Sequence, residues 1–201
     1  MTVYSAFSYT GSSIYETETS GARMRLKAEE SSLLVVDIQQ QLVPEIHDHE
    51  RVVDCTAWLM DVAAVLKIPV HATEQYPEGL GPTIPLLRGR LEAEHIHEKV
   101  CFGWADEPEA LSQLNEPQVV LVGTEAHVCV LQTALGLREA GREVFVVAEA
   151  VGSRRPHDRD TALARMRQAG CWVVTREMVA FEWLRRAGTD VFREVLQRYI
   201  R

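Results

Sequence analysis

The stretch Gln118–Gly141, QVVLVGTEAHVCVLQTALGLREAG, decides how the chain is read. Residues 119–123 are an apolar, valine-rich run of the kind found in strands covered on both faces. Gly123-Thr124-Glu125 interrupts it. From about Ala126 a helical period takes over: Val128, Leu131 and Leu135 recur on one face, Val130, Ala134 and Leu137 lie beside it, and Gly141 supplies the stop. Cys129 therefore falls in the first turn of a helix entered directly from a strand. Unpaired backbone N–H groups and the positive end of the helix dipole favour a thiolate there. A lone cysteine in an apolar segment is equally ordinary core filler, so its meaning depends on the rest of the chain.

The 201 residues suffice for one domain with a sizeable core. A formal net charge of -8 leaves no basic stripe for phosphates and argues against a nucleic-acid partner. No apolar run approaches the roughly 20 residues that a membrane span needs, and the first residues lack the basic and apolar regions of a secretory signal. Cys55, Cys101, Cys129 and Cys171 lie far apart without a CxxC pair, which suits reduced thiols in a cytoplasmic protein. Residues 1–30 are polar and aperiodic, and read as an N-terminal arm that is flexible or wraps a neighbouring subunit. Residues 31–201 read as the globular domain.

Within that domain strand and helix signals alternate. Leu33–Val36 is a buried strand ending at Asp37, and a helix follows over about 50–66. A strand over 68–73 leads to a loop over 74–83 rich in Pro and Gly. A short strand near 96–100, a helix near 107–114 and the organising strand and helix come next. Residues 143–148 form a further strand, 159–169 a helix and 171–174 a last strand, before two short helices over about 177–186 and 190–201. This alternation implies a three-layer α/β/α, Rossmann-like sandwich with a mainly parallel sheet of about six strands. The site of such a sheet lies at the carboxyl ends of its strands. That rule selects Asp37, Lys99 and Cys129. An acid, a lysine and a cysteine at one sheet edge make a nucleophile with its activators, suited to acyl transfer on a small amide.

LLVVDIQQ, EKVCFG and GTEAHVCVLQTALGLREAG resemble the three signature segments of the isochorismatase-like cysteine hydrolase superfamily. TEQYPEGLGPT and SRRPHDRDTALARMRQAG resemble its isochorismatase domain-containing branch. The resemblance spans about 32–175 and implies an Asp–Lys–Cys triad, which maps onto Asp37, Lys99 and Cys129. It also implies a non-proline cis peptide at Thr124–Glu125, and an oxyanion hole from the backbone N–H groups of Glu125 and Cys129. Nicotinamidase-type members bind a metal through an Asp/His cluster resembling DWHPxxH. The corresponding TEQYPEGLGP has no histidine, so no metal and no cofactor is expected. Isochorismatases that cleave a vinyl ether typically lack the cysteine, so Cys129 favours amide chemistry.

The expected activity is hydrolysis of a small amide or related acyl compound through a Cys129 thioester. The alternatives are an isochorismatase-type ether hydrolase, a catalytically weak binding or scaffold protein, and a peroxide-sensing thiol at Cys129. Gln39, Tyr76, Phe102 and Trp104 are candidate walls for the substrate pocket, with Phe102 equally suited to the core. His95, His97 and Lys99 share one strand face, where two histidines beside a cation make a poor metal site. His127 offers a secondary Cys–His pairing. A C-terminal apolar face of Val191, Phe192, Val195, Leu196, Tyr199 and Ile200 must pack on its own domain or on a neighbour. With the arm, it leads to an expected homo-oligomer, a dimer or larger, of two-fold symmetry.

Overall fold

The computed structural model describes residues 25–200. Six strands form one sheet: β1 (Ser31–Val36), β2 (Val70–Gln75), β3 (Ile96–Lys99), β4 (Gln118–Gly123), β5 (Glu143–Val151) and β6 (Trp172–Val174). Their spatial order is β3-β2-β1-β4-β5-β6, and every neighbouring pair is parallel. From β1 the chain moves outward through β2 and β3, then returns to open β4 on the other side of β1. The carboxyl ends of β1 and β4 therefore flank the reversal of strand order, where α/β sheets open a crevice. β1 and β4 are buried at every position, which is why both read as continuous apolar runs.

Period-two alternation sends successive side chains to opposite layers. Leu33, Val35, Val120, Val122, Phe145 and Val147 face one core, where α1 (His49–Leu66) packs. Leu34, Val36, Val119, Leu121, Val144 and Val146 face the other, covered by α2 (Leu131–Glu139) and α3 (Pro156–Gln168). Two terminal helices, α4 (Arg176–Leu184) and α5 (Asp190–Val195), lie on the α1 side through Val179, Ala180, Trp183 and Val195. Phe192, Tyr199 and Ile200 pack against the same core, and Trp58 Nε1 donates to the Tyr199 carbonyl at 2.7 Å. The C-terminal apolar face is thus largely used within its own domain.

Residues 1–24 of the expected arm lie outside the described residues. Its last part belongs to the domain instead. Leu26 is fully buried, its N–H donates to Glu182 Oε2 at 2.7 Å, and the Lys27 N–H donates to Gln118 Oε1 at 2.8 Å. Two helices also depart from the sequence reading. The segment expected as a helix near 107–114 is a single turn, Ala110–Gln113, because the Glu107 carboxylate is drawn to the Val100 and Cys101 N–H groups at 2.9 Å each. The helix after β4 opens as a wide π turn, Ala126–Val130, before becoming α-helical at Leu131.

Candidate active site

Asp37 directly follows β1 in the left-handed region, with φ 51°. Its own N–H is tied to the Thr73 carbonyl at 3.1 Å, and its carbonyl accepts from Thr124 Oγ1 at 2.5 Å. Thr124 follows Gly123, whose φ of 143° and position against Val36 exclude any side chain: a Cβ there would collide with the Val36 carbonyl. The ends of β1 and β4 are therefore laced together.

The Asp37 carboxylate sits between two donors. Thr73 Oγ1 donates to Oδ1 at 2.6 Å, and Lys99 Nζ donates to Oδ2 at 2.8 Å. Thr73 and Gln75 alternate on β2, opposite His97 and Lys99 on β3. Gln75 Oε1 accepts from Lys99 Nζ at 2.6 Å, and the Phe102 carbonyl accepts at 3.1 Å. Both members of the Asp37–Lys99 ion pair are sealed from solvent.

Cys129, at 4% exposure, lies on the opposite side of the reversal, close enough for the Asp37 carboxylate to act on its thiol. The structure thus brings together all three residues selected from the sequence, but not in the expected charge state. Burial, and then the Asp37 carboxylate, push the Cys129 thiol far above its ordinary value. Lys99 pulls the other way, while the Asp37 hydrogen bond and the Glu125 charge add to the rise. That balance favours a neutral thiol beside the carboxylate over a thiolate stabilised by a helix dipole.

Other expectations are corrected. No cis peptide occurs among the described residues, so Thr124–Glu125 is trans. The sharp turn comes instead from Gly123 and from Glu125 in the left-handed region, at φ 53° and ψ 56°. Gln39 is fully buried and its amide is spent on the backbone: its Nε2 donates to the Gln75 and Gly81 carbonyls at 3.0 and 2.7 Å, and its Oε1 accepts from the Gln75 N–H at 2.8 Å. It clamps the loop after β2 to the sheet. Trp104, 2% exposed, packs in the core with its backbone N–H donating to Thr133 Oγ1 at 3.0 Å, and it also lines a cleft of about 430 Å³ beside His97, Glu98 and Glu107. Tyr76 and Phe102 are each 53% exposed. Tyr76 lines a cleft of about 340 Å³ with Glu78, Glu98, Lys99, Val100 and Glu107, so this side of Lys99 is acidic.

His127 does not pair with Cys129. Its Nδ1 lies 3.0 Å from Ser153 Oγ and 3.5 Å from Glu125 Oε2. His97 faces His71 of β2, with His97 Nε2 3.1 Å from His71 Nδ1, and the His95 ring lies 4.5 Å from that of His71. Burial, reinforced by the neighbouring imidazoles, lowers His71 to about 4 and also lowers His97. Among the described residues, no group of three His, Cys, Asp or Glu is placed to hold a metal ion. Cys55 and Cys171 are buried, as expected of core filler.

Four polar residues at the site were missed. Thr73 and Gln75 stand at alternate positions of HATEQ, a period-two signal that marks one strand face running into the site. The Glu125 carboxylate was passed over for its backbone N–H. Arg154, whose Nε donates to Glu125 Oε1 at 2.9 Å, left no local signal, because the two residues meet only through the fold.

The sequence profile of the isochorismatase domain matches residues 31–178. The mouse isochorismatase domain-containing protein 2A is 39% identical over 177 residues, 85% of this chain and 83% of that protein. The MAR1 ribonuclease of Caenorhabditis elegans superposes with a TM-score of 0.82 at 36% identity, covering 88% of this chain and 93% of its own. The YcaC gene product of Escherichia coli, an octameric hydrolase of unknown specificity, superposes with a TM-score of 0.81 at 26% identity, over 88% of this chain and 91% of its own.

Proposed function

The chain belongs to the isochorismatase domain family, and from that membership we propose that it is a metal-independent hydrolase of a small amide or related acyl compound, with Cys129 as nucleophile. The observation that carries the reading is the position of Asp37, which is paired with the Lys99 ammonium at 2.8 Å and close enough to act on the Cys129 thiol. In this reading Asp37 takes the thiol proton as sulfur attacks the substrate carbonyl. Lys99 balances the Asp37 charge before transfer, and the thiolate charge after it. The Glu125 and Cys129 backbone N–H groups receive the oxyanion. Asp37 then gives the proton to the departing amine, leaving a thioester. Water deprotonated by Asp37 attacks that thioester, the acid leaves, and the proton returns to sulfur.

Comparing wild type with Cys129→Ala across a panel of small amides tests the proposal. Turnover that disappears in the variant, with the fold retained, is the expected result. Activity retained without the thiol would move the chemistry to an ether-hydrolysis mechanism or to another residue. No turnover at all, with tight binding of a partner, would favour the scaffold reading.

The MAR1 relative supplies a competing reading, cleavage of RNA. The net charge of -8 and the acidic cleft beside Lys99 weigh against it, since phosphates would meet Glu78, Glu98 and Glu107. RNA cleavage abolished by Cys129→Ala would reverse that judgement. We place the protein in the cytoplasm as a homo-oligomer; the reduced thiols support the first and the octameric relative the second. Among the described residues, no helix is long and apolar enough to cross a membrane.

A further inference from the structure

Glu125 poses an electrostatic problem in the turn that carries Cys129. Its side chain is 5% exposed, and its charge is one of the influences that keep the thiol protonated. A bare carboxylate here opposes both the thiolate and an oxyanion formed beside the turn, and low-dielectric surroundings magnify the effect. Asp37, Lys99 and Glu125 act on the thiol, while Arg154 and His127 face Glu125. Glu125 Oε2 is buried without a hydrogen-bond partner, and the His127 Nδ1 nearest to it, at 3.5 Å, is closer to Ser153 Oγ. That geometry also excludes a second catalytic triad. One ring nitrogen faces both Ser153 and Glu125, whereas a relay needs a different nitrogen for each. Compensation of Glu125 therefore rests on Arg154, which reaches in from the loop before α3 with its side chain 59% exposed.

We propose that Arg154 is a positioning residue of the nucleophile turn: its guanidinium anchors and neutralises the buried Glu125 carboxylate, so that Cys129 reacts beside a compensated charge. The inference rests on reading Cys129 as the nucleophile. Arg154 acts only through Glu125 and touches no reacting atom. Its exposed end makes the effect sensitive to salt, unlike the sealed Asp37–Lys99 pair.

The test is the rate of Cys129 alkylation by iodoacetamide, followed by mass spectrometry of the native protein between about pH 8 and 10. Arg154→Gln is expected to slow labelling about three- to tenfold and to move the rate profile to higher pH. Arg154→Lys, which keeps the charge, stays within about twofold of wild type. The double variant Glu125→Gln/Arg154→Gln recovers the wild-type rate, a rescue that loss of a merely structural contact would not give. High salt narrows the gap between wild type and Arg154→Gln. Equal rates for wild type and Arg154→Gln overturn the proposal, as does a double variant as slow as Arg154→Gln alone. Alkylation needs no amide turnover, so a failed hydrolysis screen with a shifted labelling profile removes the proposed function and leaves this inference standing. Normal turnover with an unshifted profile does the reverse.

Discussion

Lys99 Nζ lies 2.8 Å from Asp37 Oδ2, and neither side chain keeps any exposed surface. Removing one partner of such a pair strands the other charge in a low-dielectric interior. Lys99→Met is expected to lower unfolding stability by about 3–5 kcal/mol, read from urea denaturation. Adding Asp37→Asn to that variant restores a substantial part of the loss. A double variant no more stable than Lys99→Met would show that charge is not what the pair balances.

The raised pKa of the Cys129 thiol sets its behaviour toward alkylating agents. At neutral pH, Cys101, the one cysteine that is not buried, is expected to react first, with Cys129 lagging and gaining as pH rises. Lys99→Met slows Cys129 further, because the ammonium that pulls its pKa down has gone. Peptide mapping after timed iodoacetamide exposure reads both effects. Preferential labelling of Cys129 at pH 7 would mean that the thiolate dominates after all.

The histidine cluster gives stability a pH dependence of defined sign. Buried His71 titrates at about 4 in the fold, against 6.5 for an ordinary histidine. Between those values the unfolded chain binds more protons, so stability is full above about 6.5 and falls as pH drops toward 4. The full difference is worth roughly 3 kcal/mol. His71→Gln should flatten this part of the stability curve, measured by thermal melting across the range. An unchanged slope would assign the acid sensitivity to other groups.

Light scattering at micromolar concentration addresses assembly. The expected mass is a multiple of 22.6 kDa. The C-terminal helix is largely spent on the α1 core, so an interface must draw on other surfaces. A mass close to 22.6 kDa removes the oligomer proposal.

The succession of strands and helices, though not their order across the sheet, follows from features readable along the chain: valine-rich runs, helical periods between them, and chemistry at strand ends. These also picked out Asp37, Lys99 and Cys129, because each abuts a strong local signal. What stayed hidden depends on pairing across the sheet. Gln39 stands among the expected wall residues, yet its amide is consumed by the loop after β2. His71 gave no sign that it would meet His97, since register between β2 and β3 is a tertiary matter. The charge state of Cys129 was misjudged for a related reason. A helix dipole is visible in sequence order, whereas burial against Asp37 is not.

A primary ammonium has three N–H bonds, and Lys99 directs them at Asp37 Oδ2, Gln75 Oε1 and the Phe102 carbonyl, at 2.8, 2.6 and 3.1 Å. It is coordinatively saturated, much as a metal ion is by a full set of oxygen ligands. A cation so enclosed contributes a fixed field, with no N–H left for an incoming ligand. In the proposed reaction every proton that moves must therefore pass through the Asp37 carboxylate, whether it comes from sulfur or water or goes to the leaving amine.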